Sequence, residues 1–306
     1  MDVAIIAARI VQYAAASVVF GAPLFLLYAL KGRDRAALGW PRPLAMAAGL
    51  ALLVGAAAGL MGQTAAMAGD PAAALDGAML GSVMIETPFG LAFTARAAAA
   101  AAALALCLLL RPGTALWGAL TALGALAVAS FAWSGHGAAT EGPGALPQLI
   151  ADVLHLIAAG VWLGALAALA LMLRPRAGLP EPDALRALHD ALAGFSGVGS
   201  AVVATLVLTG LVNSWFLVGL DGLGRVTSSP YGLLLIAKLV LFAGMLGLAA
   251  ANRFRHTPEL AAALAADDVD RTLPALRRSV ALETALGLAI LALVGVLGTL
   301  APAAAQ

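Results

Sequence analysis

The sequence predicts an all-α integral membrane protein with eight transmembrane helices, and three observations carry that prediction. Hydrophobic residues make up 62% of the 306-residue chain and charged residues 11%, with a mean hydropathy of +0.99. Apolar runs long enough to cross a bilayer recur along the whole chain. About 20 helical residues span the hydrocarbon core, and a helix satisfies every backbone amide within itself. Turn and breaker residues separate these runs, and cations gather in alternate connections.

The first span, 3–30, opens on "MDVAII" with no positive n-region and is too long for a secretory signal, so it is expected to remain as helix one. It stops at "KGRDR" (31–35). The second, 43–68, closes before Pro71, and the third, 88–110, starts on Pro88 and stops at "RPG" (111–113). The fourth covers 114–134. "EGPG" (141–144) precedes the fifth, 148–173, which ends at "RPR" (174–176). The sixth runs over 191–219, the seventh over 230–250 from Pro230, and the eighth over 280–300.

Cations orient the bundle, because Lys and Arg in short loops stay on the cytoplasmic side. The loops at 31–42, 111–113, 174–190 and 251–279 hold thirteen of them, whereas the alternate loops hold Arg225 alone. Both termini are therefore expected on the outer side of the membrane. The net charge of +1 argues against a nucleic-acid partner. A lone Cys107 provides neither an intrachain disulfide nor a thiolate cluster.

Two segments repeat. "TPFGLAFTAR" (87–96) matches "SPYGLLLIAK" (229–238), each with a cation eight residues after the proline, and "AASVVFG" (15–21) matches "AAGVWLG" (158–164). The offsets, 142 and 143, divide the single membrane domain into four-helix halves at 1–140 and 141–306. An even number of crossings separates them, so they form a parallel repeat, whose interface often houses a transporter's site.

The chain has four histidines, two of which, His136 and His155, bracket one short connection on the expected outer side. In the first half the positions matching Asp152 and His155 hold Arg9 and Gln12, so the second half is the specialised one. An ionisable group within a span is costly enough that function is its default reading. Met61, Met67, Met79 and Met84 lie at the end of the second span or just after it, on the same side. Thioether and imidazole without thiolate suit a copper ion in an oxidising compartment; zinc more often recruits Cys or carboxylates. His189 and His256 lie in cytoplasmic loops among arginines and are read as solvated or facing lipid headgroups.

Taken in order, "SGHGA" (134–138), "ADVLHLIAAGVWLGAL" (151–166), "LTGLVNSW" (208–215), "YGLLLIAKL" (231–239) and "ANRFR" (251–255) resemble the CopD family of bacterial copper-resistance inner-membrane proteins. The resemblance is strongest over 130–255. It implies an eight-helix plasma-membrane protein, not an enzyme, that takes copper from periplasm to cytoplasm, often with a separate periplasmic CopC-like copper-binding protein. Carried onto this sequence, it makes His136 and His155 the expected metal-contacting residues.

The remaining charges need partners. Arg96 and Lys238 are expected to pair with Glu86 and Asp152, because unpaired cations would repel copper along its path. Asn213 is placed to hydrogen-bond to a liganding histidine and fix its tautomer. Glu283 is either an exit carboxylate or a surface residue. Two other classes compete: a b-type haem protein, which needs facing imidazoles inside the bundle, and a quinone- or lipid-handling protein, for which the sequence offers no nucleotide motif.

Overall fold

The computed structural model describes residues 2–302 apart from 33–34, 36–37, 136–141, 175–181, 221 and 267. Eight of its helices are long and apolar enough to cross a membrane, and no strand occurs among the described residues. They are α1 (Asp2–Ala29), α2 (Pro41–Ala68), α4 (Pro88–Leu109), α5 (Thr114–Ala129), α6 (Ala145–Met172), α7 (Pro182–Val218), α8 (Pro230–Ala251) and α10 (Leu273–Leu297). Two shorter helices, α3 (Gly77–Glu86) and α9 (Thr257–Ala266), lie in connections that sequence reading treats as loops.

Local chemistry explains these additions. Asp76 caps α3, its Oδ1 accepting from the amides of Ala78 at 2.9 Å and Met79 at 3.2 Å, which satisfies donors that a helix start leaves open. The helix α7 starts at Pro182, not 191, and α10 at Leu273, not 280. Charged residues such as Arg186 and Arg277 make those first turns look like loop, but backbone bonding does not stop where the hydrocarbon does. With 37 residues, α7 is about 55 Å long, well beyond the roughly 30 Å apolar core.

The hub of the bundle is α1, which packs against α2, α5 and α6. Its contact with α6 depends on glycine. A Cβ on Gly21 would strike the Gly160 carbonyl and lie 2.9 Å from the Gly164 Cα, and one on Gly164 would strike the Gly21 backbone. Lipid supplies no hydrophobic drive between helices, so this close approach and its dispersion energy hold them together.

Helices α4 and α8 begin alike. Thr87 Oγ1 accepts from the Gly90 amide at 2.9 Å and Ser229 Oγ from the Gly232 amide at 3.1 Å, each followed by proline at the first helical position. Both glycines are pressed against a preceding carbonyl, Val83 and Val226 respectively, where no Cβ fits. Packing then diverges. Helix α4 packs closely on α2, but α8 makes no comparable contact with α7 and buries only Tyr231, Gly232 and Met245.

Candidate metal centre

His155 lies ten residues into α6, about 15 Å along its axis from Ala145. Its Nδ1 is 3.0 Å from Thr209 Oγ1 on α7, and its ring sits over Gly210, where a Cβ would come to 3.7 Å from Cε1. The Thr209 hydroxyl donates to the Thr205 carbonyl at 2.6 Å. With its proton so placed, the oxygen accepts from the His155 tautomer that carries its proton on Nδ1. In that tautomer the Nε2 lone pair is the one a metal would use, with the ring oriented from behind.

This assigns to Thr209 the role that sequence reading gave to Asn213. Asn213, one turn further along α7, instead donates from Nδ2 to Asp152 Oδ1 at 3.4 Å, and its buried Oδ1 has no hydrogen-bond partner. Thr209 stands in the same "LTGLVNSW" stretch, four residues before Asn213 and on the same face; that spacing was the available signal. Lys238 on α8 lies within electrostatic reach of Asp152 and His155 but short of direct ion pairing with Asp152.

Arg96 departs from the expected pairing. It is 1% exposed, and Glu86, its expected partner, is exposed and accepts from Ser82 Oγ at 2.8 Å. The guanidinium donates to Gln12 Oε1 at 2.6 Å, Ser130 Oγ at 3.1 Å and Ser134 Oγ at 3.0 Å. It lies between the rings of Phe93 and Phe131, 4.6 and 3.7 Å from their centroids. Neutral acceptors and two π faces replace the carboxylate.

His136 lies outside the described residues. The methionines are not gathered around His155: α6 packs on α1, α5, α7 and α10, with no comparable contact to α2 or α3. Met61 and Met84 are half-buried, while Met67 and Met79 are 60% and 38% exposed. Among the described residues no three His, Cys, Asp or Glu side chains form a ready-made metal cage. Glu283 is not a surface residue. It is 2% exposed and accepts from Trp162 Nε1 at 2.6 Å and Asn252 Nδ2 at 2.8 Å.

Fold and site together define a multi-pass membrane protein with an oriented imidazole inside its helix bundle. Residues 1–146 match the family described as copper resistance protein D-like, N-terminal domain, and residues 189–297 match copper resistance protein D. Copper resistance protein D of Pseudomonas syringae pv. tomato is 38% identical over 302 residues, covering 97% of this chain and 96% of that one. The chain belongs to the copper resistance protein D family. It is also similar to inner membrane protein YebZ of Escherichia coli K12, 28% identical over 55% of this chain and 54% of that protein. Copper transport protein CutJ of Bacillus subtilis is 31% identical over 39% of this chain and 21% of its own length. No solved structure matches.

Proposed function

We propose that this protein carries copper ions across the bacterial inner membrane from the periplasm inward, with His155 Nε2 as the ligand inside the bundle. The observation that carries this reading is the Thr205–Thr209–His155 chain of hydrogen bonds, which keeps one imidazole nitrogen unprotonated at depth in a family concerned with copper. The thirteen-to-one cation asymmetry supports an orientation with both termini in the periplasm. In that orientation His136, Met61, Met67, Met79 and Met84 belong to the entrance, where exposed thioethers would capture the ion from a separate CopC-like copper-binding protein. Asp152, held by Asn213, offsets the nearby Lys238 so that a cation can approach. Glu86, exposed on α3, belongs to the entrance rather than to the path, and Arg96 to the scaffold.

The test is cellular copper under copper stress in a strain lacking the gene, complemented with the parent or with His155→Ala. The parent should raise copper relative to the deletion strain, and the variant, at equal protein level, should not. Equal copper in parent and deletion strains would overturn transport.

A further inference from the structure

Glu283 serves no role in the metal centre, yet it has the least ordinary surroundings in the second half. Its carboxylate is buried, the two donors it accepts from, Trp162 Nε1 and Asn252 Nδ2, are neutral, and no described cation forms an ion pair with it. It lines a cavity of about 310 Å³ between α6, α7, α8 and α10. Asn252, on the same cavity and 9% exposed, has a buried Oδ1 with no hydrogen-bond partner, and so does the Ser279 hydroxyl one turn before Glu283. A π-helical turn, Asn252–His256, holds that amide at the end of α8; such turns often mark functional positions.

The charged groups around the cavity are engaged elsewhere. No charged side chain of α6 or α7 lines it. From the π-helical turn, Arg253 lines its rim and donates to the Ser196 carbonyl at 3.1 Å and to Ser200 Oγ. Arg255 and His256 both face Glu259 of α9, at 3.0 and 3.2 Å. From α10, Arg277 donates to the Leu173 carbonyl at 2.8 Å. A metal ion would find one carboxylate and a few neutral oxygens, too few for a cage. A proton needs only the carboxylate and an acceptor for the new O–H, which Asn252 Oδ1 supplies once its amide turns over.

We infer that Glu283 is a proton-binding site, loaded from cavity water and emptied when a cation occupies the His155 centre. The coupling rests on the copper reading above; the proton site does not. In the loading step a carboxylate oxygen takes a proton from water in the cavity, and in the emptying step the acid returns it there, with no change of oxidation state. Trp162, which holds Glu283, follows His155 by seven residues on α6, so the two centres share a face and lie roughly 10 Å apart along the axis. One added charge at that distance, at an effective dielectric near 20, weakens proton affinity roughly tenfold.

Infrared difference spectroscopy on the purified full chain in lipid nanodiscs tests the site without copper. Lowering the pH should raise, beside the C=O stretches of the other fifteen Asp and Glu side chains, one further C=O band that belongs to Glu283. The band should be absent in Glu283→Gln, present at a changed frequency in Glu283→Asp, and retained in Asp152→Asn. A band that survives in Glu283→Gln overturns the proton site. Adding copper near the midpoint should reduce the band in the parent but not in His155→Ala. A band indifferent to copper in protein with measured bound copper overturns the coupling. A parent that titrates normally but binds no copper overturns the copper reading and leaves the proton site standing.

Discussion

Helices α4 and α8 each place a cation eight residues after the opening proline, Arg96 and Lys238, and treat it in opposite ways. In the first half, Arg96 on α4 reaches Gln12 on α1 and is closed in by Phe93, Phe131, Ser130 and Ser134, while α2 packs over α4. In the second, Lys238 on α8 stands near Asp152 and His155 on α6 but pairs with neither, and α7 and α8 stay apart. A guanidinium filling its own pocket leaves no room for another cation. An ammonium at a half-exposed position, offset by a carboxylate and beside a free imidazole nitrogen, leaves room for one. Similar helix starts, Thr87-Pro88 and Ser229-Pro230, therefore deliver two outcomes through what faces the eighth residue after each proline.

The strongest way to break this comparison is His155→Ala, which should abolish copper binding by purified protein and leave its thermal unfolding unchanged, read by metal analysis beside a melting curve. Next comes Thr209→Val. It keeps the shape but removes the acceptor behind His155, so the imidazole is no longer held with its proton on Nδ1. Loss of such an outer partner typically costs about 10–100-fold in metal affinity, measurable by competition with a copper chelator; unchanged affinity would remove Thr209 from the account.

Hydropathy and breaker residues were enough to find all eight crossings, because the membrane admits only helices with fully paired backbones and the runs are long. Helix ends were less legible: Asp76 and Pro182 start helices through capping and backbone geometry, which hydropathy does not register. The polar groups of the candidate site were half legible. His155 stood out as an ionisable group in an apolar run, and Asp152 as its neighbour one turn away. The Arg96 pocket was hidden for a physical reason. Pairing opposite charges is the simplest sequence rule, and it points to Glu86, but two aromatic faces and three neutral oxygens from α1, α4 and the 130–134 turn together replace a carboxylate, and only the fold brings them to one place. Thr209 was hidden because Asn213, one turn away on the same face, is the more conspicuous polar residue.

Arg96→Ala and Lys238→Ala sharpen the comparison at an intermediate level. The first opens a void between Phe93 and Phe131 and strips Gln12 Oε1 of its donor. Relief of guanidinium desolvation offsets part of this, but the cavity and the orphaned acceptor should win, at about 2–5 kcal/mol, seen as a lower unfolding temperature with copper affinity unchanged. The second removes a half-exposed cation, so stability should move by under about 1 kcal/mol, while copper affinity rises several-fold because a like charge has left the ligand's vicinity. If Arg96→Ala weakened copper binding at normal stability, the first half would belong to the site after all.

The smallest expected effect is the most specific. Gln12 lies ten residues into α1, as His155 does into α6, and Gln12→His places an imidazole there. If a histidine at that position were sufficient, copper per chain would rise. Arg96 Nη1, however, lies 2.6 Å from Gln12 Oε1, so the new imidazole would meet the guanidinium at hydrogen-bond distance. Its free lone pair would accept from Arg96, and a copper ion would have to displace that donor while standing a few ångströms from a fixed positive charge. At 4 Å and an effective dielectric near 20, that repulsion is about 4 kcal/mol, larger than one additional nitrogen ligand offsets. Copper per chain in Gln12→His should therefore equal the parent's by metal analysis of purified protein. A second equivalent of copper would show that the pocket around Arg96 is not closed to cations, and the contrast between the halves would then rest on His155 alone.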